Sequence, residues 1–282
     1  MTAQNSTVTQ TAAVGENIVS QYVQAYLWAQ SKLLPTITDR SSEAVKGVKA
    51  IDVGRRTGVT AVTKVAGTAL ESQSAVWTAD SLTLDIPKAC YTIMENVADL
   101  QSVIAQEPAI LEDFARAIME AIEESLYTGL AAVSASAPDH KIAFDTSATL
   151  GLADVLEAVG LLDLQNVPES DRFLAVNPKQ HRQLLALGDF IDASKYGSNM
   201  PIMNGEIGSI FGCRVIKTSK VTSDTVLAYH RSHVAFAMQG GMQLTRVQSA
   251  AHCGWEISML AQYGVKTFDS GKRGVLINNS GS

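Results

Sequence analysis

The sequence predicts an α+β fold in which one long helix packs on a β-sheet, and three patterns lead to this expectation. Apolar residues recur at helical spacing over about residues 107–133. Two-residue alternation, which is typical of strands, covers residues 45–87 and returns near the end of the chain. Between these segments, helix and strand patterns alternate over residues 150–244. The chain is therefore expected to contain an α/β unit inserted into a first, discontinuous domain.

The beginning of the chain predicts an arm rather than part of a core. Residues 1–16 are polar and rich in Thr and Gln, without periodicity, which favours a disordered leader. A helical apolar stripe follows and includes Tyr22 and Tyr26. Trp28 falls on the opposite side of that stripe, so the helix would turn a large aromatic side chain outwards. We assign residues 1–44 to an N-terminal arm that docks either on its own subunit or on a neighbour.

Residues 45–88 predict an extended β-hairpin, which we call the ribbon. Alternation at residues 59–64 and again at residues 81–86 predicts its two strands, and the small, polar residues 66–74 predict a mobile tip. A two-stranded ribbon is marginal in water, and this one has too few large apolar residues to bury its whole length against a domain. We expect it to lie on another molecule. The alternative is a pair of ordinary strands in a continuous sheet.

The long helix over about residues 107–133, which we call the spine helix, has one apolar side and one acidic side. At about 1.5 Å per residue it would be about 35–40 Å long, enough to support a sheet along one side. Glu120, Glu123 and Glu124 fall on the acidic side, where an exposed or interface face is favoured over acid–base catalysis. The apolar stripe consists of Leu111, Phe114, Ile118, Ala121, Ile122, Leu126, Leu130 and Val133.

The inserted unit at residues 150–244 begins with an amphipathic helix predicted over residues 150–164. Residues 172–176 predict a buried strand, after which Asn177 can cap a helix that begins at Pro178. Further strands are predicted at residues 210–216 and 225–229.

The closing residues return to strand patterns, with Cys253, Trp255, Ile257 and Met259 on one side. We expect these strands to pair beside the spine helix. The peripheral domain would then comprise residues 89–149 and 245–282, interrupted by the inserted unit.

Composition favours a folded protein that does not grip nucleic acid tightly. The chain has 282 residues, of which 46% are hydrophobic and 18% charged, and it contains no apolar run of about 18 residues that would suit a membrane span. A net charge of −6, without clusters of Lys and Arg, argues against tight binding to phosphates. Three widely spaced cysteines argue against a disulfide framework and favour a reducing cytoplasm.

Motifs for catalysis and for cofactor binding are absent from the sequence. It has no nucleophile elbow, phosphate-binding loop or dinucleotide fingerprint. His230 and His233, with His252 and Cys253, are conceivable metal ligands. No Asp or Glu occurs between residues 225 and 255 to orient such ligands, so surface or packing histidines are favoured. We expect no catalytic residue, cofactor or metal.

The order of these parts resembles the major capsid proteins of tailed bacteriophages, which share the tailed-phage/herpesvirus capsid fold. The segment RFLAVNP at residues 172–178, followed by Leu184-Leu185, looks like the strand, Asn-Pro and helix of that family. The segment NGEIGSIFG at residues 204–212, with Val215-Ile216, looks like the glycine turn and strand that come next. The resemblance covers nearly the whole chain in order.

The resemblance implies a capsid-type fold with a spine helix on a β-sheet, an inserted axial domain, an extended loop and an N-terminal arm. It implies a non-enzymatic major capsid protein that assembles through pentamers and hexamers into an icosahedral shell around double-stranded DNA. Assembly in the host cytoplasm would produce a virion. The implied partners are other copies of the chain and scaffold, portal and decoration proteins, without membrane contact or tight DNA binding.

Two other functions stay open at this point. An encapsulin-like bacterial nanocompartment shell shares the fold and would enclose a cargo enzyme, whereas a cytosolic enzyme is a remote alternative. For a shell of either kind, certain residues on the arm, the ribbon and the spine helix are candidates for contact with neighbouring copies. They are Tyr22, Tyr26, Trp28, Lys64, Leu70, Trp77, Glu120 and Glu124.

Overall fold

The computed structural model describes residues 5–6, 31–56, 58–70, 72–96, 106–145, 149–186 and 208–279. The described residues contain helices as well as strands in three sheets, which confirms the α+β class. The helices are α1 (Gln106–Ala131), α2 (Leu152–Leu164) and α3 (Pro178–Ala186). The strands are β1 (Asn5–Ser6), β2 (Thr38–Asp39), β3 (Ala50–Arg56), β4 (Trp77–Thr83), β5 (Ile86–Glu95), β6 (Lys141–Ala143), β7 (Arg172–Val176), β8 (Ser209–Ile210), β9 (Cys213–Lys217), β10 (Thr225–His230), β11 (Val234–Ser249), β12 (Gly254–Thr267) and β13 (Gly274–Asn278).

The spine helix is α1, and it packs along a five-stranded sheet of order β1-β5-β12-β11-β2. The long strands β11 and β12 form an antiparallel hairpin, and β12 also pairs antiparallel with β5. The predicted apolar stripe is confirmed, because its members Ile118, Ile122, Leu126 and Leu130 are almost fully buried. They share one core cluster with Tyr263 and its neighbours on β12. A helix with one apolar side is thereby stabilised by the sheet it covers.

Arg246 fastens the start of the spine helix to the sheet. Its guanidinium lies 2.9 Å from the carboxylate of Glu107 and 4.1 Å from the centre of the Trp255 ring. The ion pair and the cation–π contact act on the same side chain, which holds the first helical turn against β11 and β12.

The second large sheet has six strands in the order β6-β13-β10-β7-β9-β8. All five residues of β7 are buried, as the sequence predicts. Asn177 caps α3 as predicted, since its side-chain Oδ1 accepts a hydrogen bond from the backbone N–H of Lys179 at 3.0 Å. Helix α2 packs over β13, β10 and β6. The core cluster beneath α2 contains Val155, Leu162, Leu174, Val176, Val226 and Ile277.

The closing strand β13 differs from the expected arrangement. It lies in the six-stranded sheet, antiparallel to β10 and parallel to β6. Val275 and Ile277 are fully buried, and Leu276 packs on the opposite side into the cluster of the spine helix. A strand that is apolar on both faces is stabilised by sheet neighbours and by cores on both sides. The domain bounds stay a prediction, but residue 244, the predicted boundary, falls inside β11.

The two large sheets meet at a short connection. Strand β10 ends at His230 and β11 begins at Val234, with the turn Arg231–His233 between them. Phe173 and Tyr229 from the second sheet enter the same cluster as the spine helix. The hydroxyl group of Tyr229 is hydrogen-bonded to that of Thr36 at 2.7 Å. Both sheets therefore share one continuous core around α1.

The ribbon is anchored at its base and extends beyond it. Strands β3 and β4 form a separate antiparallel pair, which agrees with a hairpin rather than with strands of a continuous sheet. Ile51, Leu82 and Leu84 are buried at the base in a cluster with Ala235 and Ala237. The predicted strand at residues 59–64 is wrong, because residues 58–65 carry no strand and are exposed. Alternating side chains without a buried face do not fix a strand register.

The base of the ribbon lies very close to β12 at Gly264. A Cβ atom on Gly264 would overlap the backbone carbonyl oxygen of Thr83, and it would lie 3.3 Å from the Cα of Leu84. The side-chain amide of Gln262 donates a hydrogen bond to the carbonyl of Leu84 at 2.9 Å. Glycine is therefore the residue that permits this approach.

Two smaller details differ from the expectations. The single strand predicted over residues 210–216 is a tight hairpin of β8 and β9, with φ of 46° at Phe211 and 77° at Gly212. Left-handed values at both central residues are typical of a two-residue hairpin turn. Leu156 has the helical spacing of the apolar stripe that also contains Leu152 and Val159, yet it is 55% exposed. No helix among the described residues combines the length and the apolarity that crossing a membrane requires.

Candidate assembly surfaces

The upper ribbon exposes apolar side chains that the described part of the chain leaves uncovered. Each of the six is between 54% and 70% exposed, and they are Val59, Val62, Val65, Leu70, Val76 and Trp77. Soluble monomers rarely expose apolar groups in this density on one protruding element. Such a surface indicates an interface with another molecule.

Local hydrogen bonds shape the ribbon above its base. The backbone N–H of Thr60 donates to the side-chain carbonyl of Gln73 at 2.8 Å, which links the two limbs. The ammonium group of Lys64 donates to the carbonyl of Thr68, close to the turn at Gly67 with φ of 83°. Lys64 is exposed and places a positive charge near the tip.

Trp77 stands where the paired strands of the ribbon end. It is the first residue of β4, opposite Arg56, and its side chain is 70% exposed. A Cβ atom on Gly54 would lie 3.7 Å from the Trp77 ring, so the indole occupies the space beside that glycine. This large, exposed ring has the character of an interface anchor, and its role as a contact residue stays a prediction.

The outward side of the spine helix is acidic, as predicted for Glu120 and Glu124. Both are exposed, and a carboxylate oxygen of Glu120 lies 3.6 Å from the ammonium of Lys220. Glu112 and Asp113, about two turns before Glu120, lie 3.2 Å and 3.5 Å from the guanidinium of Arg116. The remaining negative charge faces solvent.

The prediction for Glu123 is wrong, because its side chain is 2% exposed. Its carboxylate accepts a hydrogen bond from the backbone N–H of Lys32 at 2.7 Å, where the incoming chain crosses the spine helix. Glu123 lies seven residues before Leu130, which places it on the apolar side of the helix. This spacing is the feature of the sequence that could have identified Glu123 as buried. Tyr22, Tyr26 and Trp28 lie outside the described residues, and their contacts stay predictions.

Two of the histidines considered as metal ligands, His230 and His233, make hydrogen bonds within the chain. No group of three or more possible ligands occurs among the described residues. Ser232 contacts the Nδ1 atom of His230 through both its backbone N–H and its hydroxyl group. His233 is fully buried, and its Nε2–H donates to the carbonyl of Leu130 at 3.1 Å. His233 thus ties the end of the spine helix to the connection between the sheets.

Burial of His233 predicts a loss of stability in acid. Desolvation lowers its pKa from 6.5 to about 4, and Nδ1 has no hydrogen-bond partner among the described residues. The unfolded chain therefore binds more protons between pH 6.5 and about 4, so this stability is complete above pH 6.5 and lost as the pH falls. We expect a loss of about 3 kcal/mol over that range.

Urea unfolding at several pH values between 7 and 4 measures this effect. The His233→Gln variant keeps a donor for the Leu130 carbonyl but does not titrate, so its free energy of unfolding should depend less on pH. An equal pH dependence in the variant and the unaltered chain would contradict the assignment to His233.

The chain matches one protein family by sequence and several solved structures by fold. The model of a family described as phage capsid protein matches residues 97–278. A structure from Mycobacterium phage Che8 is similar with a TM-score of 0.76 and 20% identity, covering 90% of this chain and 94% of that chain. The capsid structure of the cyanophage P-SCSP1u has a TM-score of 0.76 and 12% identity, covering 89% and 88%. The capsid of an empty GTA particle computed with C5 symmetry has a TM-score of 0.67 and 11% identity, covering 89% and 96%. No protein among the curated proteins matches the chain.

Proposed function

Since the chain belongs to the phage capsid protein family and is a major capsid protein, we propose that its copies assemble through pentamers and hexamers into an icosahedral shell enclosing double-stranded DNA. The protein is a structural component of the viral capsid. The shell is assembled in the host cytoplasm.

The ribbon is the observation that carries this proposal. Its base is buried in its own subunit at Ile51 and Leu82, whereas its upper part exposes six large apolar side chains. The exposed side chains of the ribbon become buried when the ribbon docks on a neighbouring copy. The surface of the neighbour that covers them is a different surface from the ribbon. Contacts between two different surfaces generate rings when their rotation closes. Many such contacts in a shell add up to high stability.

We further propose that the ribbon of one copy lies on the outward face of the spine helix of the next. Arg56 and Lys64 outnumber Glu71 and give the upper ribbon a net positive charge, and Glu120 and Glu124 give the helix face negative charge. Complementary charges steer partners together and fix their register. Leu70 and Trp77 would supply the apolar contacts, and Tyr22, Tyr26 and Trp28 are further predicted contacts from the arm.

The charge of the chain suits a wall around DNA rather than a DNA-binding protein. A net charge of −6 disfavours tight attachment to phosphates, so the DNA inside would stay free to move during packing. Scaffold, portal and decoration proteins are the proposed partners in assembly.

Electron microscopy of the protein, purified and co-expressed with its scaffold, tests the proposal. The expected result is uniform closed particles, with double-stranded DNA in particles from infected cells. Persistent monomers at high concentration, with scaffold present, would overturn the proposed function. Closed particles that hold a protein cargo and no DNA would favour a nanocompartment shell.

A further inference from the structure

The inserted unit is divided into an acidic part and a basic part. Residues 145–171 contain six acidic residues and no Lys or Arg. Residues 172–186 and 208–223 contain six Lys or Arg and no acidic residue. Such an asymmetry within one small unit predicts two faces of opposite charge.

The fold puts the two parts towards opposite edges of the six-stranded sheet. The acidic part forms α2, which packs over β13, β10 and β6. The basic part forms β7, α3, β8 and β9, and β8 and β9 lie at the opposite edge from β6. The opposite charges are therefore separated across the unit.

Only part of this charge is neutralised within the chain. Arg172 lies 2.6 Å from Asp163, Lys179 lies 2.6 Å from Asp224, and Lys220 lies 3.6 Å from Glu120. The exposed side chains that form no ion pair within the described ranges are Asp145, Glu157, Glu169 and Asp171 in the acidic part and Arg182, Arg214 and Lys217 in the basic part. Exposed charges of one sign attract a surface of the other sign.

Exposed apolar groups lie among the same charges. On α2, Leu156 is 55% and Leu164 is 70% exposed, although helices usually turn such residues to the core. Gly160 lies midway between them, and a Cβ atom there would meet nothing within 4 Å. Leu156 and Leu164 are eight residues apart and therefore about 12 Å apart along the helix axis. Because Gly160 has no side chain, a notch lies between them.

A matching projection occurs on the basic side. Phe211 is 46% exposed at the tip of the β8–β9 hairpin, next to Gly212 in the left-handed turn. An aromatic ring that stands out from a tight turn has the shape that an apolar notch accepts.

We propose that the acidic face of one copy, formed by Leu156, Glu157, Gly160, Leu164 and Glu169, docks on the basic edge of a second copy, formed by Arg182, Phe211, Arg214 and Lys217. The contact joins two different surfaces, so each copy can use one to bind the copy before it and the other to bind the copy after it. The inference rests on the proposed function, because it names the contact that closes the capsomer ring around the inserted unit. Phe211 enters the notch above Gly160, and the opposite charges align around it.

Charge reversal on either surface tests this contact in the full chain with scaffold. One variant carries Glu157→Lys and Glu169→Lys, and the other carries Arg214→Glu and Lys217→Glu. Each places like charges opposite one another, so we expect about tenfold fewer closed particles from each by electron microscopy. Lys272→Glu, at an exposed residue outside both surfaces, should assemble like the unaltered chain.

Two combinations separate the proposed contact from a general effect of charge. The chain with all four substitutions has both signs reversed, so closed particles should return. An equal mixture of the two double variants should give oligomers with equal numbers of each by native mass spectrometry, whereas neither variant forms them alone. Circular dichroism and thermal unfolding should show an intact fold in every variant.

Full assembly of either double variant, or no recovery in the fourfold variant, would overturn this inference. In both cases the unaltered chain would still close shells, so the proposed function would stand. A failure of the unaltered chain to form particles would instead overturn the proposed function.

Discussion

Removal of residues 67–74 from the ribbon is expected to leave a folded subunit that no longer closes shells. The deleted segment lies above the paired strands β3 and β4 and contains Leu70, whose side chain is 60% exposed. The base of the ribbon, with Ile51 and Leu82 in its core cluster, is retained. The loss therefore falls on contacts between copies, which a shell repeats at every subunit.

Sedimentation and electron microscopy measure shell formation, and thermal unfolding measures the fold. We expect closed particles to fall by about tenfold or more, since each subunit loses an apolar contact with its neighbour. Leu70→Ser keeps the length of the ribbon and removes one apolar side chain, so its effect should be smaller. If the deletion unfolds the subunit, the ribbon belongs to the core and our interpretation of it is wrong.

Replacement of Gly264 by alanine is expected to lower the free energy of unfolding by about 3 kcal/mol. The added Cβ would overlap the carbonyl oxygen of Thr83, and the nearest atoms, from Thr83 and Leu84, are all backbone atoms that cannot rotate away. Strand β12 and the base of the ribbon would have to separate. Separation would also weaken the hydrogen bond from Gln262 to the carbonyl of Leu84.

Urea unfolding compares this variant with Gly58→Ala. A Cβ atom on Gly58 would meet nothing within 4 Å, so this control should change the free energy of unfolding by less than about 0.5 kcal/mol. Equal stability of the two variants would show that the close approach at Gly264 is not a packing constraint. A partial loss confined to the ribbon would appear as faster proteolysis within residues 58–76.

Elements that depend on neighbouring residues in the sequence were predictable. The spine helix was predicted over residues 107–133 and is found at Gln106–Ala131, because its long apolar stripe and its periodicity are local properties. The cap at Asn177 was equally predictable, since Asn followed by Pro specifies both the capping oxygen and the first helical φ.

Features that depend on distant partners were not predictable. The sheet in which β13 lies depends on β10 and β6, which are far away in the chain. Glu123 is buried because the chain at Lys32 crosses the spine helix there, and its helical position alone gave only a partial signal. The alternation at residues 59–64 imitates a strand, yet an exposed segment has no buried face to select one pairing.

The candidate surfaces were predictable in part. Trp77, Leu70 and Lys64 were placed on exposed parts of the ribbon, and the structure exposes each of them. The acidic face and the basic edge were missed. Their signal is visible only as a count of charges over residues 145–223, and the fold is needed to show that the two signs lie towards opposite edges of the sheet.

The short connection between β10 and β11 has a mechanical consequence. Three residues, Arg231–His233, join two sheets whose apolar faces share one core around the spine helix. Close-packed interiors compress little and transmit strain, so the body of the subunit should behave as a stiff plate. If neighbouring subunits of a curved shell differ in tilt, we therefore expect the ribbon, and not the body of the subunit, to change conformation.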